Sequence, residues 1–365
     1  MSKSVHARRL HIHLPRHLDE ETYRERWESG LEPDASPYGF HHARTLGYSV
    51  TFSKPHEYRS YLHRKLFGVL NRAAMGIDIG HAWHNREMLR KADVVWTMLE
   101  QEGLAVSMLI RLGVIRSVPV IGGTVWLINT WQSISTSRRA AYRRILAGWA
   151  AMTVATKACL DIARSKMPEV NTRLLHFGIS ANTFLPLPHR PRDRDHIAIF
   201  AMGNDRTRDW DVLFRAFGND DRFRINLVCR WVGDEVMLKY HNVYLIREPS
   251  IAQMRELYAE ADYAAVTMYE NVFSGITVAL EAAALGVPIL GTRTGGLATY
   301  FSEEEMLLAD VGDDDGLKHA VLGQSPAERQ AMADRAQGKF RDSDYTTLGM
   351  IKRYDALTRS TMHDG

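Results

Sequence analysis

Residues 270–296 read ENVFSGITVALEAAALGVPILGTRTGG. Ser274-Gly275 ahead of ITVALEAAAL predicts a helix start, since Ser is a good N-cap and Gly beside it lets a ligand approach the backbone. Ala282, Ala283 and Ala284 keep the helix slim, Gly286 reads as its C-terminal cap, and Pro288 opens a short strand. DYAAVTM (262–268) reads as the strand before it, so the order is strand, helix, strand. The anomaly is Glu281, a carboxylate inside an apolar helix. An unpaired buried carboxylate is costly, so it needs a partner: an arginine in a core, or a ligand.

Outward from this stretch the alternation continues. HIAIFAMG (196–203) and FRINLVCRWVG (223–233) predict strands; DWDVLFRAFG (209–218) and IAQMRELYAEA (251–261) predict helices. The first half alternates too. RRLHIHLP (8–15), ADVVWTM (92–98), VPVIGGTVW (118–126) and AMTVAT (151–156) read as strands. EQEGLAVSMLIRLG (100–113) and SRRAAYRRILAGW (137–149) read as helices between them. FLPLPHRPRDRD (184–195) is rich in proline and mixed charge and reads as a linker. The expected architecture is α/β: two Rossmann-like domains facing a cleft. Residues 1–187 form the first domain and 188–345 the second. A last helix, TTLGMIKRYDALTRST (346–361), follows, and 346–365 is expected to cross back to the first domain.

Composition narrows the class. The chain has 365 residues, 45% hydrophobic and 24% charged, with two cysteines far apart. That excludes a disulfide framework and fits a reducing compartment. MSKSVHARRLHIHLP has no apolar core and reads as no signal peptide, and ILAGWAAMTVA (145–155) is too short to span a bilayer. The expected location is the cytoplasm. Residues 1–190 carry 26 Lys/Arg against 15 Asp/Glu, whereas the remainder carries 20 against 28. A basic first half favours an anionic partner, with uneven surface charge as the plain alternative.

The first amides of the helix after Ser274 lack intrahelical acceptors and sit at the positive end of its dipole, so they can hold a diphosphate. Glu281, one turn beyond Thr277 on the same face, can accept two hydrogen bonds from a sugar diol such as a ribose. No Gly-x-Ser-x-Gly elbow is present, and Gly203-Asn204-Asp205 is not the fingerprint of a nicotinamide site.

The Glu281-Ala282…Gly286-Val287-Pro288…Gly295-Gly296 pattern resembles the donor-site signature of retaining glycosyltransferases of the GT-B fold, family 4. HFGISANTF (176–184) and AMGNDRTRDWDVLFRAF (201–217) resemble further segments of that family, whereas the likeness is weak before about residue 90. The resemblance implies transfer of a sugar from a nucleotide-diphosphate donor to a glycan or lipid-linked hydroxyl acceptor, in bacterial glycan or exopolysaccharide synthesis. It implies no metal and no cofactor. Carried over by position, Glu281 binds the ribose and the amides of Gly275, Ile276 and Thr277, next to Ser274, hold the diphosphate. Arg208, with Arg206, neutralises it beside Gly203 and Asn204, and Glu270 or Asn271 lies near the donor sugar. One departure is plain: the family pairs two Glu with seven residues between them, and the corresponding position here is Phe273.

Other chemistry is weaker. Asp193–Asp195 and Asp342–Asp344 are not placed after core strands, and His81 with His84 has no third ligand nearby, so no metal site is expected. Acceptor-side candidates are His11, His13, Trp126, Asn129 and Trp131, each with a structural role as the alternative. HEYRSYLHRKLFGVLNRAAMG (56–76) and SRRAAYRR (137–144) suit either peripheral contact with an anionic membrane or ordinary amphipathic helices; nucleic acid is not expected. Two other readings of the same fold stay open: a nucleotide-sugar epimerase and a non-catalytic scaffold or nucleotide-sugar binding protein.

Overall fold

The computed structural model describes residues 7–56, 65, 77–187 and 195–363. The chain divides into two compact units, Met1–His176 with Thr347–Gly365, and Phe177–Thr346.

The first unit is built on six parallel strands: β1 Arg9–Ile12, β2 Ser49–Phe52, β3 Val94–Thr97, β4 Val120–Thr124, β5 Ala151–Val154 and β6 Thr172–Leu174, in the order β2-β1-β3-β4-β5-β6. β3, β4 and β5 are buried along their whole length, which is why they read as unbroken apolar or small-residue runs rather than as alternation. The helix Thr347–His363 belongs to this unit. Trp96 Nε1–H donates to Thr358 Oγ1 at 2.9 Å, Tyr48 Oη–H to Asp355 Oδ1 at 2.7 Å, and the Tyr354 ring lies 5.1 Å from that of Trp96. Buried Trp and Tyr polar atoms take partners in this way because a lost hydrogen bond inside a core costs about 1–3 kcal/mol.

The second unit repeats the plan with β7 Ile197–Met202, β8 Phe223–Val228, β9 Val243–Ile246, β10 Tyr263–Val266, β11 Ile289–Thr292 and β12 Met306–Ala309. The order is β12-β11-β10-β7-β8-β9, again all parallel. The helix Trp210–Phe217 shows how the pattern drives packing: Val212, Leu213, Phe214, Ala216 and Phe217 are all buried. Each large apolar side chain among them contributes roughly 2 kcal/mol of transfer free energy. Strand order reverses at β1 in the first sheet and at β7 in the second. In open parallel sheets the crevice at the carboxyl ends of the reversal strands is where ligands bind.

The compact units divide after His176, where residue 187 was the expected boundary. The reason is local pairing: Ile179 bridges Thr346, Phe177 N–H donates to Tyr300 Oη at 2.9 Å, and Leu187 N–H donates to the Leu285 carbonyl at 3.1 Å. The core of the expected linker, residues 188–194, lies outside the described residues, as does the basic segment 56–76 apart from His56 and Lys65. Four strands, β2, β6, β9 and β12, were not legible as strands. Among the described residues no helix is long and apolar enough to cross a membrane.

Candidate active site in the second unit

The reversal of strand order at β7 brings two loops together, residues 203–209 after β7 and 267–275 after β10. They are stitched by backbone: Asp209 N–H donates to the Thr267 carbonyl at 3.0 Å, Tyr269 N–H to the Thr207 carbonyl at 2.9 Å, and Arg208 bridges Met268. The second loop is held by one side chain. Asn271 Oδ1 accepts from Phe273 N–H at 3.1 Å and Ser274 N–H at 2.7 Å, while Nδ2–H donates to the Tyr269 carbonyl at 2.8 Å. A buried Asn folding its own loop in this way is an Asx turn. Its amide is thereby spent on architecture, and Glu270 beside it is exposed.

The loop delivers the chain to the helix Ile276–Leu285. Its N-cap position is Gly275 rather than Ser274, and no side chain caps it. Gly275 has φ +84°, and a Cβ there would stand 2.6 Å from Val266 Cγ1 and 2.7 Å from Met268 Sδ. Only glycine fits, and the absence of a side-chain cap leaves the first amides of Ile276 and Thr277 without an intrahelical acceptor. At the far end Gly286, φ +76°, is the expected left-handed cap. Gly296 closes the frame: its Cα region abuts Phe273 and Ser274, so that a Cβ would lie 3.1 Å from the Ser274 carbonyl oxygen.

The first loop delivers Arg208, only 8% exposed. Its Nε donates to Asp205 Oδ2 at 3.2 Å, and its Nη1 is buried with no partner. Burial pushes the guanidinium down while Asp205, Tyr258 and Glu281 act against that shift. Asp205 is held low by Arg208 and by the Thr207 side chain and amide, against the opposing effect of its own burial. Gly203 makes room for this arginine, since a Cβ there would sit 2.3 Å from Arg208 Nε. Asn204 Oδ1 accepts from Arg230 N–H at 2.8 Å, tying the loop after β8 to the loop after β7. A cavity of about 470 Å³ opens here, lined by Asn204, Arg206, Arg208, Trp210, Trp231 and Val232. Arg206 is exposed at its edge.

The partner of Glu281 is a tyrosine. Tyr258 Oη–H donates to Glu281 Oε2 at 2.7 Å, both groups being buried. Burial raises the Glu281 carboxyl to about 7, with the Tyr258 hydrogen bond and Arg208 pulling the other way. Glu281, Arg208, Asp205 and Tyr258 thus form one electrostatic cluster at the carboxyl ends of β7 and β10. Tyr258 and Asp205 were invisible as site residues because nothing in their local pattern marks them; the cluster exists only once the sheet is ordered.

In the first unit His11 and His13 lie at the carboxyl end of β1, both buried, with ring centroids 5.7 Å apart. His11 Nδ1 lies 3.0 Å from Thr51 Oγ1; both ring nitrogens of His13 lack a hydrogen-bond partner. His81 stacks on His13 at 4.9 Å and its Nε2 lies 3.0 Å from the Leu14 carbonyl oxygen. Trp131 is a core residue, 3% exposed, whereas Trp126 and Asn129 are exposed on the short helix Trp126–Asn129. That helix is anchored by Glu100, whose carboxylate accepts from Val125 N–H at 3.0 Å and Trp126 N–H at 3.2 Å.

The fold defined by these two parallel-sheet units is the GT-B fold of glycosyltransferases. Residues 206–353, less than half of the chain, match the family model described as glycosyl transferase-like. No curated protein sequence gives a significant match. Sucrose-phosphate synthase from Thermosynechococcus elongatus superposes with a TM-score of 0.72 at 17% identity, covering 98% of this chain and 100% of that one. HepE of Anabaena in complex with UDP and glucose gives 0.67 at 11% identity, covering 96% and 99%. A glycosyltransferase from Rickettsia africae gives 0.68 at 13% identity, covering 98% and 100%. At these identities the likeness carries the fold alone.

Proposed function

We propose that the chain is a retaining glycosyltransferase that takes a sugar from a nucleotide-diphosphate donor and passes it to a hydroxyl of a glycan or lipid-linked acceptor. The observation that carries this is Arg208. A buried guanidinium that spends only its Nε on Asp205, with an unpartnered Nη1 and an uncapped helix N-terminus in the same site, is a poor design for a core and a suitable one for a diphosphate. The complexes of the Anabaena neighbour with UDP and with UDP-glucose make UDP-glucose the first donor to try.

In this reading the amides of Gly275, Ile276 and Thr277 and the Arg208 fork hold the diphosphate. They gain most as negative charge develops on it in the transition state, which is electrostatic catalysis. Glu281 keeps one oxygen on Tyr258 and offers the other to the ribose diol. Glu270 and Asn271 lie on the loop nearest the donor sugar, with Asn271 fixing the loop and Glu270 free to reach a hydroxyl. The acceptor hydroxyl attacks from the face the diphosphate leaves, and a departing phosphate oxygen takes its proton, so the configuration at the anomeric carbon is kept. The helix dipole and arginine neutralise the leaving group, and the donor chemistry needs no metal. His11 and His13 stand on the acceptor side.

The test is a transfer assay with UDP-, GDP- and ADP-sugars, followed by proton NMR of the product. Transfer with retained anomeric configuration supports the reading. Turnover of the donor to its epimer without any acceptor would overturn it in favour of an epimerase.

A further inference from the structure

The first unit carries a group that neither the donor chemistry nor the family likeness uses. Asp34, His41 and His42 each offer one ligand atom, and the three atoms lie within 4.8 Å of one another. Among the described residues this is the one set of three or more His, Cys, Asp or Glu side chains that converges so closely. Asp34 is buried, 8% exposed, and the two histidines are partly buried.

The backbone is bent to make the meeting. The 3-10 segment Pro37–Leu46 is interrupted by two successive left-handed residues, Tyr38 at φ 57° and Gly39 at φ 68°. A bulky non-glycine residue in that region is strained, and such strain persists only where surrounding structure imposes it. The bend turns the following turn back toward residue 34. Ser36, fully buried, fixes the result: its Oγ accepts from His41 N–H at 2.9 Å and lies 3.1 Å from His41 Nδ1. A hydrogen bond on one ring nitrogen fixes the orientation of a ligating histidine and leaves the other nitrogen for the ion.

The donor set also fits such an ion. Two imidazoles and one carboxylate are mixed nitrogen and oxygen donors, which suit zinc and not magnesium or calcium as preferred ions. Ligand atoms around tetrahedral zinc stand about 3.3 Å apart, so the longest separation closes by roughly 1.5 Å through side-chain rotation.

We propose that Asp34, His41 and His42 bind a divalent first-row transition ion, zinc in the first instance, as a clip on this segment. The segment carries Phe40, whose ring lies 5.7 Å from Tyr354 of the helix Thr347–His363. The ion therefore braces the docking of that helix in the first unit, apart from the donor cluster in the second.

The experiment uses the full chain without affinity-tag histidines, stripped with chelator and re-equilibrated with micromolar zinc at pH 7.5. Bound metal is counted by elemental analysis, and cobalt serves as a spectroscopic probe of nitrogen ligation. Wild type is expected to hold one zinc per chain and to gain a few degrees in Tm. Asp34→Asn and His42→Ala are expected to lose at least tenfold in zinc affinity and to lose the Tm gain. His84→Ala, an exposed histidine outside the group, is expected to keep both. Nucleotide binding is expected to be unchanged in Asp34→Asn, which separates this site from the donor site. Folded wild type that retains no zinc would overturn the proposal, and so would wild-type zinc affinity in both Asp34→Asn and His42→Ala.

Discussion

At the scale of residues, Glu281 illustrates a conflict between stability and binding. Its carboxyl is raised from 4.5 to about 7 in the folded chain, chiefly by burial. A group whose folded value lies above its unfolded value supports folding fully below the unfolded pKa, and that support is lost as pH rises through the folded pKa. The ligand-free chain is therefore expected to lose stability between pH 4.5 and about 7 through this group, on the order of 3 kcal/mol in all. Glu281→Gln is expected to flatten that part of the pH profile in denaturant melts and to leave the chain more stable than wild type at pH 8. The same variant is expected to bind nucleotide sugar about tenfold or more weakly, because a diol needs the carboxylate. Tyr258→Phe tests the partner: it removes the hydrogen bond that favours the ionised Glu281. Donor affinity is expected to fall about tenfold at pH 7 and to recover partly at pH 8.5, measured by calorimetry at both values. A structural role for Tyr258 alone would give a loss that does not depend on pH. Glu281 was readable as an anomaly from the sequence, but its tyrosine partner was not. The two are 23 residues apart and meet only through the packing of the helix Ile251–Glu260 on its neighbours.

At the scale of elements, the two sheets explain what a sequence reveals and what it withholds. The central strands β3, β4, β5, β7, β8 and β10 announce themselves because burial on both faces demands long apolar runs. The four strands that escaped, β2, β6, β9 and β12, are the edge strands of the two sheets. They are three or four residues long, and none is buried throughout, so the pattern has little to display. The site helix was legible at its end, where Gly286 caps it, but its start was displaced by one residue. Gly275 occupies the cap because the close approach of Val266 and Met268 excludes any side chain. Gly275→Ala is accordingly expected to destabilise the second unit by about 1–3 kcal/mol and to abolish the nucleotide-induced rise in Tm, read by differential scanning fluorimetry. In the first unit, β1 carries its own prediction. Burial lowers His11 to about 3, His81 to about 4 and His13 well below its usual value, with repulsion from His81 adding to the effect on His11 and His13. These folded values lie below the unfolded value of 6.5, so the stability they permit is present above pH 6.5 and is lost as pH falls toward 4. The first unit is expected to unfold in mild acid with a steep dependence on pH, followed by tryptophan fluorescence of Trp96. His13→Gln is expected to shift that transition to lower pH.

At the scale of the whole molecule, the alternation of strands and helices was enough to give two Rossmann-like units and the return of the last helix. It could not place the division, because residues 177–187 are committed by hydrogen bonds to Tyr300, Tyr345 and Leu285 rather than by composition. Deleting residues 347–365 is expected to expose Trp96 and Tyr48, which lose Thr358 and Asp355, and to destabilise the first unit while the second still binds nucleotide. The central claim is that Arg208, the amides after Gly275 and Glu281 form a nucleotide-diphosphate site. It is tested most directly by calorimetric titration of the folded chain with UDP, GDP and ADP, beside Arg208→Lys and Glu281→Gln. The account predicts saturable binding of one diphosphate, weakened about tenfold or more in both variants, with a stability gain of about 2.7 kcal/mol at a hundred times the dissociation constant. Folded protein that binds none of the three, or that binds one equally well in both variants, would contradict it.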